Sequence, residues 1–253
     1  MKDKISFLKV LLILVALVWA SAAWAAPEDE ILKSWTKTEE FVESTGAQIV
    51  QMKVTYYSAE YIQALIRSEA QKNLWTRDEE ENYKYTLLKT LNLQDNIAFH
   101  ISFNVKGVPM YPQPFDRHFT LFVAKKKYSP SDYDKRFNFK LSGERDGMLF
   151  FPRYDEKTGK DLLAETKDIR LIMSGSISQA TVDRGDRTWV WDISRDNPEA
   201  LGTGKAADRL ELDRLLRRME KLTGERREVQ DKIDSIDKEL QEVGARVEEL
   251  QAR

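Results

Sequence analysis

The sequence has no cysteine and only two histidines among its 253 residues. The lack of cysteine excludes disulfides, thiol catalysis and zinc–thiolate sites. His100 and His118 provide little material for a catalytic triad or a transition-metal site. Hydrolase signatures of the G-x-S-x-G and H-E-x-x-H types are also absent. We therefore expect no catalytic residues, no bound metal and no cofactor.

Neither sign of charge is in large excess, since 40 lysines and arginines stand against 42 aspartates and glutamates. Nucleic-acid-binding domains are typically strongly basic, so nucleic acid is not an expected partner. Hydrophobic residues make up 42% of the chain, which is typical of a folded globular protein.

The N-terminal segment has the layout of a secretory signal peptide. Lysines precede an unbroken apolar run over residues 10–18, and an A-x-A pattern follows that ends at Ala25. We expect residues 1–25 to direct export to the periplasm or cell envelope, with cleavage after Ala25. The alternative is a retained membrane anchor, because residues 10–26 reach the lower length limit for spanning a bilayer.

Residues 26–95 are predicted to form helices and one strand that pack on the domain that follows. Apolar side chains recur at helical spacing over residues 28–43. Residues 50–56 alternate between apolar and polar side chains, which predicts a half-buried strand.

Capping residues mark two more helix starts in this region. Ser58 can accept a hydrogen bond from the first turn of a helix that runs to about residue 75. Thr76 and Glu79 have the spacing of a capping box, and the acids after Thr76 suit the positive end of a helix dipole. The sequence therefore predicts two helices between residues 58 and 91.

From residue 96 the hydrophobic period changes to two, and residues 97–105 form the clearest strand pattern in the chain. Turn-rich stretches, one of them at 143–147, separate further short strands, predicted at 119–124, 137–141, 148–151, 169–173 and 188–193. The spacing predicts that residues 96–193 form an antiparallel β-sandwich, within an α+β fold class. Because the Cys…Trp…Cys pattern is missing, the immunoglobulin-like label is an analogy only.

Residues 205–253 follow a linker at 194–204 and have the pattern of a coiled coil. Apolar residues repeat every three and four positions, with one exception, Arg226. The a positions are Leu212, Met219, Arg226, Ile233, Leu240 and Val247, and the d positions are Leu215, Leu222, Val229, Ile236, Val243 and Leu250. We call these twelve residues the seam.

The seam predicts a partner helix, either a second copy of this chain or another envelope protein. We expect a parallel coiled coil, with dimer and trimer both open. The alternative is an intrachain hairpin, because Thr223 and Gly224 could form a turn between two shorter helices.

A second candidate surface combines basic and aromatic side chains between residues 125 and 153. It comprises Lys125, Lys126, Lys127, Tyr128, Arg136, Arg145 and Arg153. We call these residues the basic set. Such a surface could meet an anionic glycan or lipid headgroups. Alternatively, these cations are neutralised by acidic residues of the same chain.

Taken alone, the sequence predicts an exported, non-enzymatic scaffold, adaptor or chaperone-like binding protein with a coiled-coil stalk. The alternative is a glycan-binding or carbohydrate-active envelope protein that uses the basic set. Aromatic side chains beside paired carboxylates in a cleft would favour the alternative, whereas a shallow surface would favour the scaffold.

Overall fold

The computed structural model describes residues 27–164 and 166–252. The predicted signal peptide lies outside these residues. The chain divides after Gly202 into two compact units, of which we call residues 27–202 the head. The protein is an α+β chain with two antiparallel sheets and a long C-terminal helix. Within the described ranges, no helix is both long and apolar enough to span a membrane.

The described residues form five α-helices and nine strands. The helices are α1 (Pro27–Ser34), α2 (Ala59–Asn73), α3 (Arg77–Leu91), α4 (Gln179–Val182) and α5 (Lys205–Gln251). The strands are β1 (Thr36–Val42), β2 (Gln48–Tyr56), β3 (Asn96–Met110), β4 (Phe119–Val123), β5 (Lys126–Tyr128), β6 (Asp132–Tyr133), β7 (Leu141–Pro152), β8 (Asp168–Met173) and β9 (Arg187–Asp192). Short 3-10 helices lie at Phe115–His118, Lys135–Asn138, Gly175–Ile177 and Pro198–Leu201.

The larger sheet has the strand order β1-β2-β3-β7-β6 and is antiparallel throughout. The central strand β3 places Ile101 opposite Val54 of β2 and Gly147 of β7. The odd-numbered residues of β3 from Ile97 to Val105 are buried. The strand predicted from the period of two is therefore confirmed.

The smaller sheet has the order β5-β4-β8-β9 and is also antiparallel. Its buried side chains again alternate along β4, β8 and β9, as in Phe119, Leu121 and Val123 of β4. Trp189 and Trp191 provide the large buried side chains of β9.

One hydrophobic cluster contains buried side chains from both sheets. The ring of Trp191 in β9 lies 5.4 Å from that of Phe99 in β3 and 6.4 Å from that of Tyr56 in β2, measured between centroids. At the other end of the cluster, the rings of Phe115 and Phe137 stack at 4.5 Å. The core of the head thus combines these aromatic contacts with a larger number of aliphatic side chains.

The predicted helix starts in the 58–91 region are confirmed. Ser58 caps α2 by accepting a hydrogen bond from the Tyr61 amide, at 2.9 Å. Thr76 and Glu79 form a complete capping box at the start of α3. The chain turns between the two helices at Leu74, whose φ of 53° lies in the left-handed region.

The predicted helix over residues 28–43 is wrong in its second half. A short helix, α1, ends at Ser34, and residues 36–42 form β1. All seven residues of β1 pair with β2, and Phe41 is buried in the core. Pairing with the next strand along the chain therefore overrides the helical spacing of this segment.

The predicted turn at 143–147 is also wrong, because this stretch lies inside the continuous strand β7. Gly147 is required there by packing, since a Cβ on it would lie 2.7 Å from the Cβ of Asp134. The strand predicted at 137–141 is also wrong: its first two residues belong to the 3-10 helix Lys135–Asn138, in which Phe137 is buried, and only Leu141 lies in a strand, β7. Gly147 thus marks the close approach of a side chain rather than a reversal of the chain.

Candidate functional site

The C-terminal helix α5 is continuous over 47 residues. At ~1.5 Å per residue its length is about 70 Å. Gly224 lies inside the helix, and the Thr223 hydroxyl donates to the Met219 carbonyl at 2.7 Å, one turn earlier. The turn that an intrachain hairpin needs is therefore not formed.

The eleven apolar residues of the seam are all exposed on α5. Their exposed fractions range from 45% at Ile233 to 63% at Leu240. A heptad spacing places these residues along one stripe of the helix. A continuous apolar stripe of this length is typical of a surface that binds another helix, rather than of isolated apolar residues on a solvated helix.

Charged side chains flank the seam and form ion pairs along α5. Glu211 accepts from Arg214 at 2.6 Å, and the Glu225 carboxylate lies 3.7 Å from the Lys221 ammonium. Arg246 pairs with Glu249 in the same way. All these side chains are about half-exposed or more, so the pairs contribute little to helix stability and can exchange for other partners.

The residues of the basic set are distributed between the two sheets. Residues 125–128 lie at and within β5, the edge strand of the smaller sheet. Arg145 is on β7 of the larger sheet, and Arg136 and Arg153 lie in segments next to β7. The sequence alone did not predict that the basic set would be divided between two sheets.

Asp155 holds Lys126 and Tyr128, two members of the basic set. Its carboxylate accepts from the Lys126 ammonium at 2.9 Å and from the Tyr128 hydroxyl at 3.3 Å. It also accepts from the amide and the hydroxyl of Thr158. The hydrogen bond from Lys126, followed by those from Thr158, holds the pKa of Asp155 well below its usual range, and Asp155 in turn raises the pKa of Lys126.

The guanidinium groups of Arg136 and Arg153 have carboxylate partners as well. Arg136 pairs with Asp134 at 2.5 Å, and its hydrogen bond lowers the pKa of that carboxyl. Arg153 pairs with Asp161 at 2.8 Å and donates to the Leu93 carbonyl at 3.1 Å. These contacts connect neighbouring segments of the head, which is a structural use of the charges.

A groove on the outer face of the larger sheet was not predicted from the sequence. It is lined by Thr38, Glu39, Glu40, Gln51, Lys53, Ser102, Asn104 and Glu144. Four of these residues, Glu40, Gln51, Asn104 and Glu144, lie in one row across β1, β2, β3 and β7. The sequence does predict which side chains of each strand lie on the polar, outer face of the sheet. That alternation does not reveal which strands are neighbours.

The groove is polar and no aromatic side chain lines it. Of its three carboxylates, Glu40 and Glu144 are at opposite ends of the cross-strand row, and Glu39 pairs with Arg187. Glu40 accepts from the Gln51 amide at 2.6 Å. The lining does not combine aromatic platforms with paired carboxylates, which is the arrangement that would favour a glycan ligand.

The two histidines have different neighbours. The His100 Nε2 lies 3.1 Å from Asp146 Oδ2, across β3 and β7. His118 lies 3.4 Å from the Ser176 hydroxyl, and burial lowers its pKa while Asp116 raises it by a smaller amount. Within the described ranges, no group of three or more histidine or carboxylate side chains is arranged to hold a metal ion.

Comparisons with known proteins provide little further information. No family model matches the chain, and no curated protein matches it. One solved structure is similar, a crystal structure of a novel protein of unknown function from Burkholderia pseudomallei. It is 10% identical, has a TM-score of 0.37, and the match covers 66% of this chain and 82% of that chain.

Proposed function

We propose that the protein is an exported, non-enzymatic scaffold or adaptor of the cell envelope that self-associates through α5. The observation that carries this proposal is the exposed apolar seam on one continuous helix. Each seam leucine or isoleucine that becomes fully buried against a partner contributes about 1.5–3 kcal/mol. Seven such residues, with one methionine and three valines on the same stripe, therefore provide a large driving force for association.

The export part of the proposal rests on the N-terminal sequence. A basic start, a nine-residue apolar run and an A-x-A pattern that ends at Ala25 are the three parts of a secretory signal. A cysteine-free head held together by a hydrophobic core needs no disulfide formation after export. The proposed location is the periplasm or the periplasmic face of the envelope.

The head is proposed to be a β-sandwich that displays binding surfaces. Support comes from the shared core, in which Trp191 of the smaller sheet contacts Phe99 and Tyr56 of the larger sheet. Facing sheets that share one apolar layer are the usual architecture for such a core. The outer groove is then a shallow polar surface suited to a protein partner.

The glycan-binding alternative has less support. Lys126, Arg136 and Arg153 already have carboxylate partners within the head. An anionic glycan or lipid would have to compete with these carboxylates. No observation in the head favours that ligand over a protein partner.

Sedimentation of the exported chain tests the proposal. The wild type is expected to be an oligomer at tens of micromolar. Replacing Ile233 and Ile236 with Asp places charges in the seam, where burial without a partner is costly, and is expected to give a monomer with a folded head. The matched control adds two carboxylates outside the seam, at Ser235 and Ala245, and is expected to remain an oligomer. A wild-type monomer would refute self-association.

A further inference from the structure

We propose that α5 pairs with α5 of a second copy of this chain in antiparallel orientation, in one register set by the charges beside the seam. This inference rests on the self-association proposed above and specifies its geometry. It differs from the parallel arrangement expected from the heptads alone, and three features of α5 favour it.

The first reason is the alternation of charge at the heptad g positions. These residues are Glu211, Arg218, Glu225, Lys232, Glu239 and Arg246, so the sign changes at every heptad. In a parallel coiled coil, g residues face e residues of the partner, whereas in an antiparallel pair they face g residues. The e residues are Leu216, Thr223, Gln230, Asp237, Gly244 and Gln251. A parallel pair would therefore leave five of the six g charges opposite uncharged residues.

The second reason is that one antiparallel register gives all six g residues a partner of opposite charge. When Leu212 lies opposite Val243 of the second copy, every g residue faces an opposite charge. The facing residues are Glu211 with Arg246, Arg218 with Glu239, and Glu225 with Lys232, each of which occurs twice by symmetry. A shift of one heptad in either direction places like charges opposite one another at every one of these contacts. A shift of two heptads restores opposite charges but pairs only four of the six g residues. The pattern therefore favours this register as well as the antiparallel orientation.

The third reason is Arg226, the charged member of the seam. A parallel pair places Arg226 of one copy in the same layer as Arg226 of the other, so that two like charges share one core layer. In the antiparallel register Arg226 packs against Val229, and the Glu225–Lys232 contact flanks that layer. A lone arginine beside an aliphatic side chain can extend its head to water.

The register has a cost, which the charges must offset. It aligns ten of the twelve seam residues, and leaves Val247 and Leu250 opposite Asp208 and Lys205. A shift of one heptad would align all twelve but would place Arg218 opposite Arg246 and Glu225 opposite Glu239. The test must therefore distinguish these two registers as well as the two orientations.

Cysteine crosslinking can distinguish both the orientation and the register of the pair, because the natural chain has no cysteine that would form competing disulfides. Exported chains with Leu212→Cys or Val243→Cys are oxidised singly and as an equimolar mixture. In the proposed pair, two copies of Leu212 are separated by 31 residues along the axis, about 46 Å at ~1.5 Å per residue. Neither single variant is expected to crosslink with itself, and the mixture is expected to yield a disulfide dimer.

The outcomes separate this inference from the proposed function. A chain that sediments as a monomer refutes both. A dimer in which Leu212→Cys crosslinks with itself keeps self-association but overturns the antiparallel orientation. A mixture of Leu212→Cys with Leu250→Cys that crosslinks in preference to the Val243→Cys mixture overturns the register, because it reports the shifted one.

Charge-swapped variants test whether the charges at the g positions determine the orientation and register. One chain carries Glu211, Glu225 and Glu239 changed to Lys, so that all its g residues are basic. A second chain carries Arg218, Lys232 and Arg246 changed to Glu. At low salt each alone is expected to dimerise with a Kd at least ten-fold higher than the wild type, and an equimolar mixture is expected to recover the dimer. Unchanged Kd values for both would overturn the proposal, since a parallel pair has little charge opposite these positions.

Discussion

The indole nitrogen of Trp191 donates a 2.9 Å hydrogen bond to the main-chain carbonyl of Trp35, 156 residues earlier in the chain. The same carbonyl also accepts from the Tyr56 amide, at 3.2 Å. Trp35 lies just before β1, so this carbonyl connects the larger sheet with β9 of the smaller one. The bond is buried, and it lies beside the contacts of Trp191 with Phe99 and Tyr56.

Replacing Trp191 with Phe is expected to lower the free energy of unfolding by about 2–3 kcal/mol. About 1 kcal/mol comes from the lost hydrogen bond, and the rest from the space left by the smaller ring. Trp189→Phe on the same strand is the control, because the Trp189 indole bonds to a partly exposed carboxylate, that of Glu39. Urea unfolding followed by circular dichroism measures both. Equal losses in the two variants would contradict the proposed role of the Trp191–Trp35 bond.

Asp155 is expected to make folding stability depend on acid pH. Its pKa is depressed in the folded chain, chiefly by the hydrogen bond from Lys126. The stabilisation is therefore complete above the unfolded-state pKa of about 4 and is lost as pH falls through the lower folded-state value. The wild type should exceed Asp155→Asn in unfolding free energy at pH 7, and the difference should shrink at pH 3.

The control for this experiment is Asp231→Asn, which removes an exposed carboxylate from α5. Urea unfolding at the two pH values is measured for all three chains. A difference between wild type and Asp155→Asn that stays constant from pH 7 to pH 3 would show that the Asp155 contacts do not depend on its charge.

Asp196 is expected to stabilise the start of α2 as an acceptor rather than as a charge. Its Oδ1 accepts from the Ala59 amide at 2.8 Å and from the Glu60 amide at 3.3 Å. Asp196→Ala removes the acceptor and should cost about 0.5–2 kcal/mol, similar to the loss of an N-cap side chain. Asp196→Asn keeps an oxygen acceptor and should cost less than Asp196→Ala.

The pH dependence at Asp196 has the opposite sign to that at Asp155. Burial raises the pKa of Asp196 in the folded chain. The wild type therefore loses stability relative to Asp196→Asn as pH rises from about 4 through the raised pKa. Thermal or urea unfolding of both chains between pH 4 and 7 measures this trend. If the unfolding free energy of the wild type instead rose relative to that of Asp196→Asn over this pH interval, the expectation would be contradicted.

Export is expected to leave a chain that begins at Ala26. N-terminal sequencing of the protein recovered from the cell envelope checks this directly. A start at Met1 would instead identify the apolar segment as a retained anchor. Replacing Ala23 and Ala25 with bulky residues is expected to block cleavage, because the signal-peptide cleavage site requires small side chains. Replacing Trp24, which lies between them, is the matched control and should leave cleavage unchanged.

Several features of the fold depend on interactions between neighbouring residues, and these could be predicted from the sequence. The capping box of Thr76 and Glu79 is formed by residues three positions apart, and the period of two over 97–105 records one buried face of a strand. The heptads of α5 belong to a single helix, so the position of the seam follows from periodicity alone. The same holds for the alternating g charges, from which the antiparallel register is inferred.

Other features required contacts between different elements of the fold. Residues 36–42 have helical spacing, yet become a strand because β2 offers a complete set of hydrogen-bond partners. In the sequence Gly147 suggests a turn, and only the folded chain shows that the Asp134 side chain packs against it. The polar groove and the partners of Lys126, Arg136 and Arg153 likewise depend on which strands and loops are adjacent. Local spacing determines which face of an element is apolar, but only tertiary packing determines what lies against it.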